Sequence, residues 1–241
     1  MYLPDGPSET TPWTLDGDEG HHLQRVVRAQ AGDVLQVFDG RGREWASSVL
    51  ATGRGTATCA PASPVVAVAE PPVAVTVLIG VLKGDQMDTV VRDATVMGAS
   101  TIAPIVTDHV AVPARAWREA AALARWHRVA VAAARQCRRA VVPTILPACP
   151  LREAWNPDAV HTKTLVCLEP DAEADLASDW FDGPRPSHAQ LCIGPEGGWS
   201  HAELAWFSER PVTPLRLGPR TLRAEATPMV ALATLWSRWG W

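Results

Sequence analysis

Twice between Leu191 and Trp241 the chain halts an apolar run with glycine and proline and restarts as a helix, which confines it to strand, loop and helix units. Leu191-Cys192-Ile193 has the make-up of a buried strand, and Gly194-Pro195-Glu196-Gly197-Gly198 cannot extend it. Three glycines in five residues open left-handed conformations and let another group lie directly against the main chain. Ser200-His201-Ala202-Glu203 then has the form of a capping box, in which the two side chains satisfy free amides at a helix start. A second unit follows: Pro214-Leu215-Arg216-Leu217 reads as a brief strand, Gly218-Pro219-Arg220 breaks it, and Thr227-Pro228 reads as an N-cap followed by proline at the first helical position. In the closing helix Met229, Val230, Leu232, Ala233, Leu235, Trp236 and Trp239 return at spacings of three and four, predicting a wide buried face. The two loops are expected at the same end of neighbouring strands, where α/β proteins place ligands.

The upstream pattern supplies the rest of such a fold. Pro4, Pro7 and Pro12 suggest an extended lead-in, and Asp18-Glu19-Gly20 opens a short helix with Leu23, Val26 and Val27 on one face. Asp33–Phe38 alternates as a half-buried strand, Asp39-Gly40-Arg41-Gly42 reads as a hairpin turn, and strands from Trp45 onward complete a small β-rich domain. The proline- and alanine-rich stretch from Ala60 to Pro72 reads as a semi-stiff connector, placing a boundary near residue 70 between domains 1–70 and 71–241. Beyond it, the run Val73–Gly80 predicts a strand covered on both faces. A helix with Met87, Val90, Val91, Ala94 and Met97 inward, a strand at Thr101–Val106, a long amphipathic helix over Ala121–Ala140 and a strand at Leu165–Leu168 follow. Alternating strands and helices make this an α/β domain.

Charge is uninformative in total and informative in place. A net charge of −4 argues against indiscriminate coating of nucleic acid, which needs clustered cations. Local clusters do occur: Arg25, Arg28, Arg41 and Arg43 near the start, and Arg125, Arg128, Arg135 and Arg139 along the 121–140 helix, where no acidic residues are interleaved. On charge alone each is either a solvated face or an RNA contact. His21 and His22 lack partners at metal-ligand spacing, and the five scattered cysteines form no metal-type pairs, so no metal site is expected. No run approaches the ~20 apolar residues of a membrane span, which points to a cytoplasmic protein with no membrane partner. Neither glycine loop fits the usual nucleotide patterns, and a glycine turn before a helix is often only a tight connection.

Taken together, IGPEGGWS from Ile193, LRLGPRTLRAEA from Leu215 and the closing apolar helix resemble the C-terminal signature of the RsmE family of 16S ribosomal RNA uridine-N3 methyltransferases, part of the SPOUT superfamily. Val81–Asp88 with Ala94-Thr95 and Gly98-Ala99, Arg125–Arg128 with Ala133–Cys137, and His21–Arg28 with Gly32-Asp33 and Phe38-Asp39-Gly40 are similar to further stretches of that family. The resemblance implies a C-terminal SPOUT methyltransferase domain with a deep trefoil knot and a small N-terminal PUA-like β-barrel. It also implies S-adenosylmethionine as cofactor, 16S ribosomal RNA of the small subunit as substrate with position 1498 as target by family analogy, and a homodimer.

By the same resemblance Leu168, Gly194, Glu196, Gly197, Leu217, Gly218 and Leu222 bind the cofactor, mostly through backbone groups. Arg223 would stabilise the ionised uracil oxygens and Glu225 act as base or base-positioner, although the two could equally be a local ion pair at a helix start. Arg25, Arg28, Arg41, Arg125, Arg128 and Arg135 are the RNA-contact candidates. The chain departs from the family where RTETA becomes Arg223-Ala224-Glu225-Ala226-Thr227, and where Arg135 replaces an acidic residue. A non-catalytic RNA-binding factor of this fold, or a SPOUT enzyme with another RNA target, are the competing readings.

Overall fold

Side-chain alternation along the first seventy residues yields an antiparallel sheet, and continuous apolar runs beyond them yield a parallel one. The computed structural model describes residues 1–113, 117, 120–155, 162–170 and 184–241. They form two compact units, Met1–Glu70 with Ala134–Val142, and Pro71–Ala133 with Pro143–Trp241.

In the first unit β1 (Trp13–Leu15), β4 (Thr56–Cys59), β3 (Glu44–Gly53) and β2 (Val34–Phe38) lie in that order, all antiparallel, and β5 (Ser63–Val65) pairs with β3. The expected connector thus contains a strand. The extended chain start is tied to β2, with Leu3 N–H donating to the Phe38 carbonyl and Phe38 N–H to that of Met1, both at 2.9 Å. Leu15, Leu23, Leu35, Val37, Val49 and Ala57 form the core.

The helix α1 (Gly17–His22) runs into a widened π turn at Leu23–Val27 that ends at Arg28 in a left-handed conformation, φ 57°. The wider turn breaks the expected three-and-four spacing, so Leu23 is buried while Val26 and Val27 face solvent. The hairpin between β2 and β3 is held by the buried Asp39 carboxylate. It accepts from Arg41 N–H at 2.8 Å, Arg43 N–H at 3.1 Å and Arg43 Nε at 2.8 Å.

In the second unit the sheet order is β12 (Val212–Leu215), β10 (Thr162–Cys167), β11 (His188–Ile193), β6 (Ala74–Gly80), β7 (Thr101–Val106) and β8 (Thr144–Ile145), with β9 (Cys149–Pro150) also on β7. Every pairing is parallel, so all strands end at one edge. Val77, Leu78, Ile79, Leu165 and Leu191 of the central strands are fully buried, as their β-branched and leucine-rich sequences require. Helices α2 (Gln86–Val96), α3 (Ala120–Cys137), α4 (Leu151–Ala154), α5 (His201–Ser208) and α6 (Thr227–Trp239) complete the described elements. Helix α6 packs on α2, and the Trp236 indole donates to the Met97 carbonyl at 2.6 Å. None of the described helices is long and apolar enough to cross a membrane.

Two details of α6 differ from expectation. Its N-cap is Ala226 rather than Thr227, whose hydroxyl instead donates back to the Arg223 carbonyl at 3.0 Å. The buried face is Ala231, Leu232, Leu235, Trp236 and Trp239, whereas Met229, Val230 and Ala233 are exposed.

Burial by itself would raise the Asp39 carboxyl, but its bonds from the Arg41 amide and from the amide and guanidinium of Arg43 outweigh that and hold it below the usual carboxylate value. The group therefore contributes stability that is complete above the unfolded carboxylate pKa and is lost as pH falls through the lower folded value. Asp39→Asn is expected to cost roughly 1–3 kcal/mol, read by urea denaturation at neutral pH, because it leaves buried donors poorly matched. The difference between the two proteins should shrink as the pH is lowered through the acid range.

Candidate active site

The ends of β10, β11 and β12 lie side by side, with β10 between the two glycine-bearing connections. Those connections therefore follow strands separated by one, not neighbours, and the residues after β10 fill the gap between them. A cavity of about 400 Å³ opens there, within the ~300–1,000 Å³ typical of small-molecule sites.

Sequence reasoning singled out nine positions for this site, and eight line the cavity: Leu168, Gly194, Glu196, Leu217, Gly218, Leu222, Arg223 and Glu225. Gly197 is the exception. It faces the segment after β7, where an added β-carbon would lie 2.9 Å from His109 Cβ, and its carbonyl is 2.9 Å from His109 Nδ1. Glu169, Ile193, Trp199, Arg220 and Thr221 also line the cavity and were not anticipated. Each of these sits within one or two residues of an anticipated position, whereas Gln86 of α2, which also lines the cavity, is brought there only by the fold.

Close approach, rather than side-chain bonding, shapes the first loop. A β-carbon on Gly80 at the end of β6 would stand 2.5 Å from the Pro195 nitrogen, so only glycine lets the 194–198 turn cross that strand end. Beyond the turn the expected capping box is present: Ser200 Oγ accepts from Glu203 N–H at 3.2 Å, and Glu203 accepts from Ser200 N–H at 2.8 Å. Buried Glu203 also accepts from Asp108 N–H at 3.0 Å, and Ser200 Oγ donates to the Asp108 carboxylate. The Glu196 carboxylate accepts from Lys83 N–H at 3.0 Å, and the Gln86 amide, oriented to donate, lies 2.7 Å from it. The loop is thus clamped at both ends.

Trp199 ties the clamp to the sheet. Its indole N–H donates to the Cys167 carbonyl at 2.9 Å and its ring stands edge-on to Phe207 at 5.0 Å, in a cluster with Trp155 and Trp206. Of the eleven tryptophans, against one tyrosine and three phenylalanines, Trp155, Trp199 and Trp206 are therefore packing beneath the site. Burial pushes the Cys167 thiol up to about 12 and that of Cys192 higher still, so both stay protonated and act as small apolar groups.

On the second loop Arg223 Nη1 lies 3.8 Å from Glu225 Oε1, with side-chain exposures of 86% and 16%. A freely hydrated guanidinium thus borders a largely covered carboxylate. At 3.8 Å, with the guanidinium in solvent, the pair contributes little to stability.

The basic track expected along α3 is not free. Arg125 Nε donates to Asp88 at 2.8 Å, Arg135 pairs with Glu19, and Arg139 Nε is 2.9 Å from the Glu70 carboxylate. The acids come from distant parts of the sequence, so spacing within the helix could not reveal them. Arg43 is likewise engaged by Asp39. Arg25, Arg28, Arg41 and Arg128 remain exposed.

The sequence matches the RNA methyltransferase domain family over residues 69–236 and the RNA methyltransferase PUA domain over residues 15–61. Ribosomal RNA small subunit methyltransferase E of Synechocystis is 32% identical over 225 residues, covering 92% of this chain and 72% of that protein. Among solved structures, the ribosomal RNA small subunit methyltransferase E of Neisseria gonorrhoeae bound to S-adenosylmethionine superposes with a TM-score of 0.87 at 27% identity, covering 98% of this chain and 96% of that one. A Legionella pneumophila methyltransferase complexed with the same cofactor gives 0.86, at the same identity and coverage.

Gly80→Ala tests the close approach. With backbone as the obstacle, relief requires the 194–198 turn to shift, and thermal unfolding is expected to register a loss on the order of 1–3 kcal/mol. An unchanged melting temperature would mean that the turn is not held against the β6 end.

Proposed function

Because the chain belongs to the RNA methyltransferase family, together with proteins named ribosomal RNA small subunit methyltransferase E, we propose that it transfers a methyl group from S-adenosylmethionine to N3 of a uridine in 16S ribosomal RNA. The observation that carries this reading is the cavity at the ends of β10, β11 and β12, where main chain and leucines form the walls and Arg223 and Glu225 border them.

The cavity suits the cofactor on its own terms. Leu168, Leu217 and Leu222 offer apolar surface to a purine, and the missing side chains of Gly194 and Gly218 expose main-chain amides and carbonyls that can fix its polar edges. Gly197 contributes indirectly, by letting His109 pack against the turn. Bound S-adenosylmethionine supplies an electrophilic methyl on a positively charged sulfur. The protein must bring N3 into line with it and handle the imide proton. Arg223 is free to meet the uracil oxygens, where negative charge collects as N3 loses its proton. Glu225 accepts that proton or orients the imide, held in place by the neighbouring guanidinium. The family's two threonine hydroxyls are absent at Ala224 and Ala226, and in this segment the Thr227 hydroxyl donates to the Arg223 carbonyl.

Residues 1–70 act as an RNA-holding domain in this reading and 71–241 as the methyltransferase domain, the latter threaded as a SPOUT trefoil knot. Arg25, Arg28, Arg41 and Arg128 supply free cations for phosphate, and the ion-paired Arg125 and Arg135 contribute less. The protein works in the cytoplasm, where its ribosomal substrate is assembled, as a homodimer. Support for the dimer comes from the exposed Met229, Val230 and Ala233, which line one shallow groove on α6.

Arg223→Ala is expected to leave S-adenosylmethionine affinity within about twofold by calorimetry and to lower methyl transfer to small subunits by at least ~100-fold, the scale of removing one transition-state charge donor. Transfer at the parental rate would remove Arg223 from the chemistry. Val230→Asp is expected to give a 25.9 kDa monomer in sedimentation where the parent gives twice that mass; a monomeric parent would refute the dimer.

A further inference from the structure

Glu169 is a carboxylate lining the cavity that the reading above leaves unused, and Gly198 of the opposing loop lies close against it. It directly follows Leu168 at the end of β10 and is exposed. Of the other acids nearby, Glu196 accepts from the Lys83 amide, Glu203 accepts from the amides of Ser200 and Asp108, and Glu225 stands 3.8 Å from Arg223. Glu169 has no hydrogen-bond or ion-pair partner among the described residues.

Across the cavity Gly198 has φ +68°, and a β-carbon there would lie 2.8 Å from Glu169 Oε1. Any larger residue would displace the carboxylate from the position it holds. The turn therefore keeps clear a negatively charged acceptor beside the main chain that receives the nucleoside. In dinucleotide-binding α/β folds an Asp or Glu accepts from the ribose 2′-hydroxyl, and the second oxygen of a carboxylate can accept from the neighbouring 3′-hydroxyl. An unpaired acid facing a cationic cofactor could instead bind through charge, and the two modes separate on a neutral ligand that keeps the diol.

We propose that Glu169 is the ribose-binding residue of the cofactor site, accepting hydrogen bonds from the 2′- and 3′-hydroxyls, with Gly198 conserving the space that its carboxylate needs. The assignment rests on the S-adenosylmethionine reading above and adds a residue to it.

The test is calorimetric and needs no turnover. Wild type, Glu169→Gln and Glu169→Asp are titrated with S-adenosylmethionine and with 5′-methylthioadenosine, which retains the ribose diol but has neither the sulfonium nor the ammonium charge. Glu169→Gln is expected to weaken both ligands by the same factor, about tenfold or more. Glu169→Asp, one methylene shorter, should recover part of that loss. Melting temperatures of the free proteins are expected to agree, since the side chain bonds to nothing in the described structure. A loss confined to S-adenosylmethionine would show charge pairing and overturn the assignment, as would unchanged affinity for both ligands. If wild type binds S-adenosylmethionine and the variant binds it equally well, only the ribose assignment falls. If wild type binds neither ligand, the function reading falls with it.

Discussion

Everything at the candidate site depends on a backbone passing over the end of a strand at a distance no side chain would permit. Gly80 supplies that clearance for Pro195, and Gly197 does the same for His109 on the other side of the turn. With both contacts made, the 194–198 segment has little freedom left. The capping box at Ser200 and the Glu196 bond to the Lys83 amide then fix its ends. A loop held this way presents main-chain groups in one arrangement before any ligand arrives, so less ordering entropy opposes binding.

The acids of this region divide along the same line. Glu203 is buried and spent on two backbone amides, which makes it part of the scaffold. Glu196 lines the cavity within the predicted binding motif, and its carboxylate also accepts from the Lys83 amide. Glu225 is covered and set beside a hydrated arginine, the combination that suits a proton acceptor with a charge-stabilising neighbour. Three glutamates in similar sequence surroundings thus have three physical situations, decided by which amides reach them.

Much of this was legible in the sequence, and the exceptions share a cause. The buried β-branched runs marked the parallel strands, and glycine, proline and capping residues marked the two loops, because these signals are local. The partners of Arg125, Arg135 and Arg139 were not visible, since Asp88, Glu19 and Glu70 reach them only through the fold. Leu23, Val26 and Val27 do not share the one face their spacing suggests, because a π turn changes the period that such a reading presumes. The order of β10 between β11 and β12 was hidden for the same reason as the ion pairs: strand order is a long-range property. The roles proposed for Arg223 and Glu225 rest on the family resemblance, since spacing alone leaves them indistinguishable from a surface ion pair.

The most direct measurement is methyl transfer itself. Small ribosomal subunits lacking the modification would be incubated with the purified protein and S-adenosylmethionine carrying an isotopically labelled methyl, and the 16S RNA then digested and its nucleosides resolved by mass spectrometry. Label recovered as 3-methyluridine from a single site is the predicted result. Label on another base or ring position, or none at all from a protein that demonstrably binds the cofactor, would contradict it.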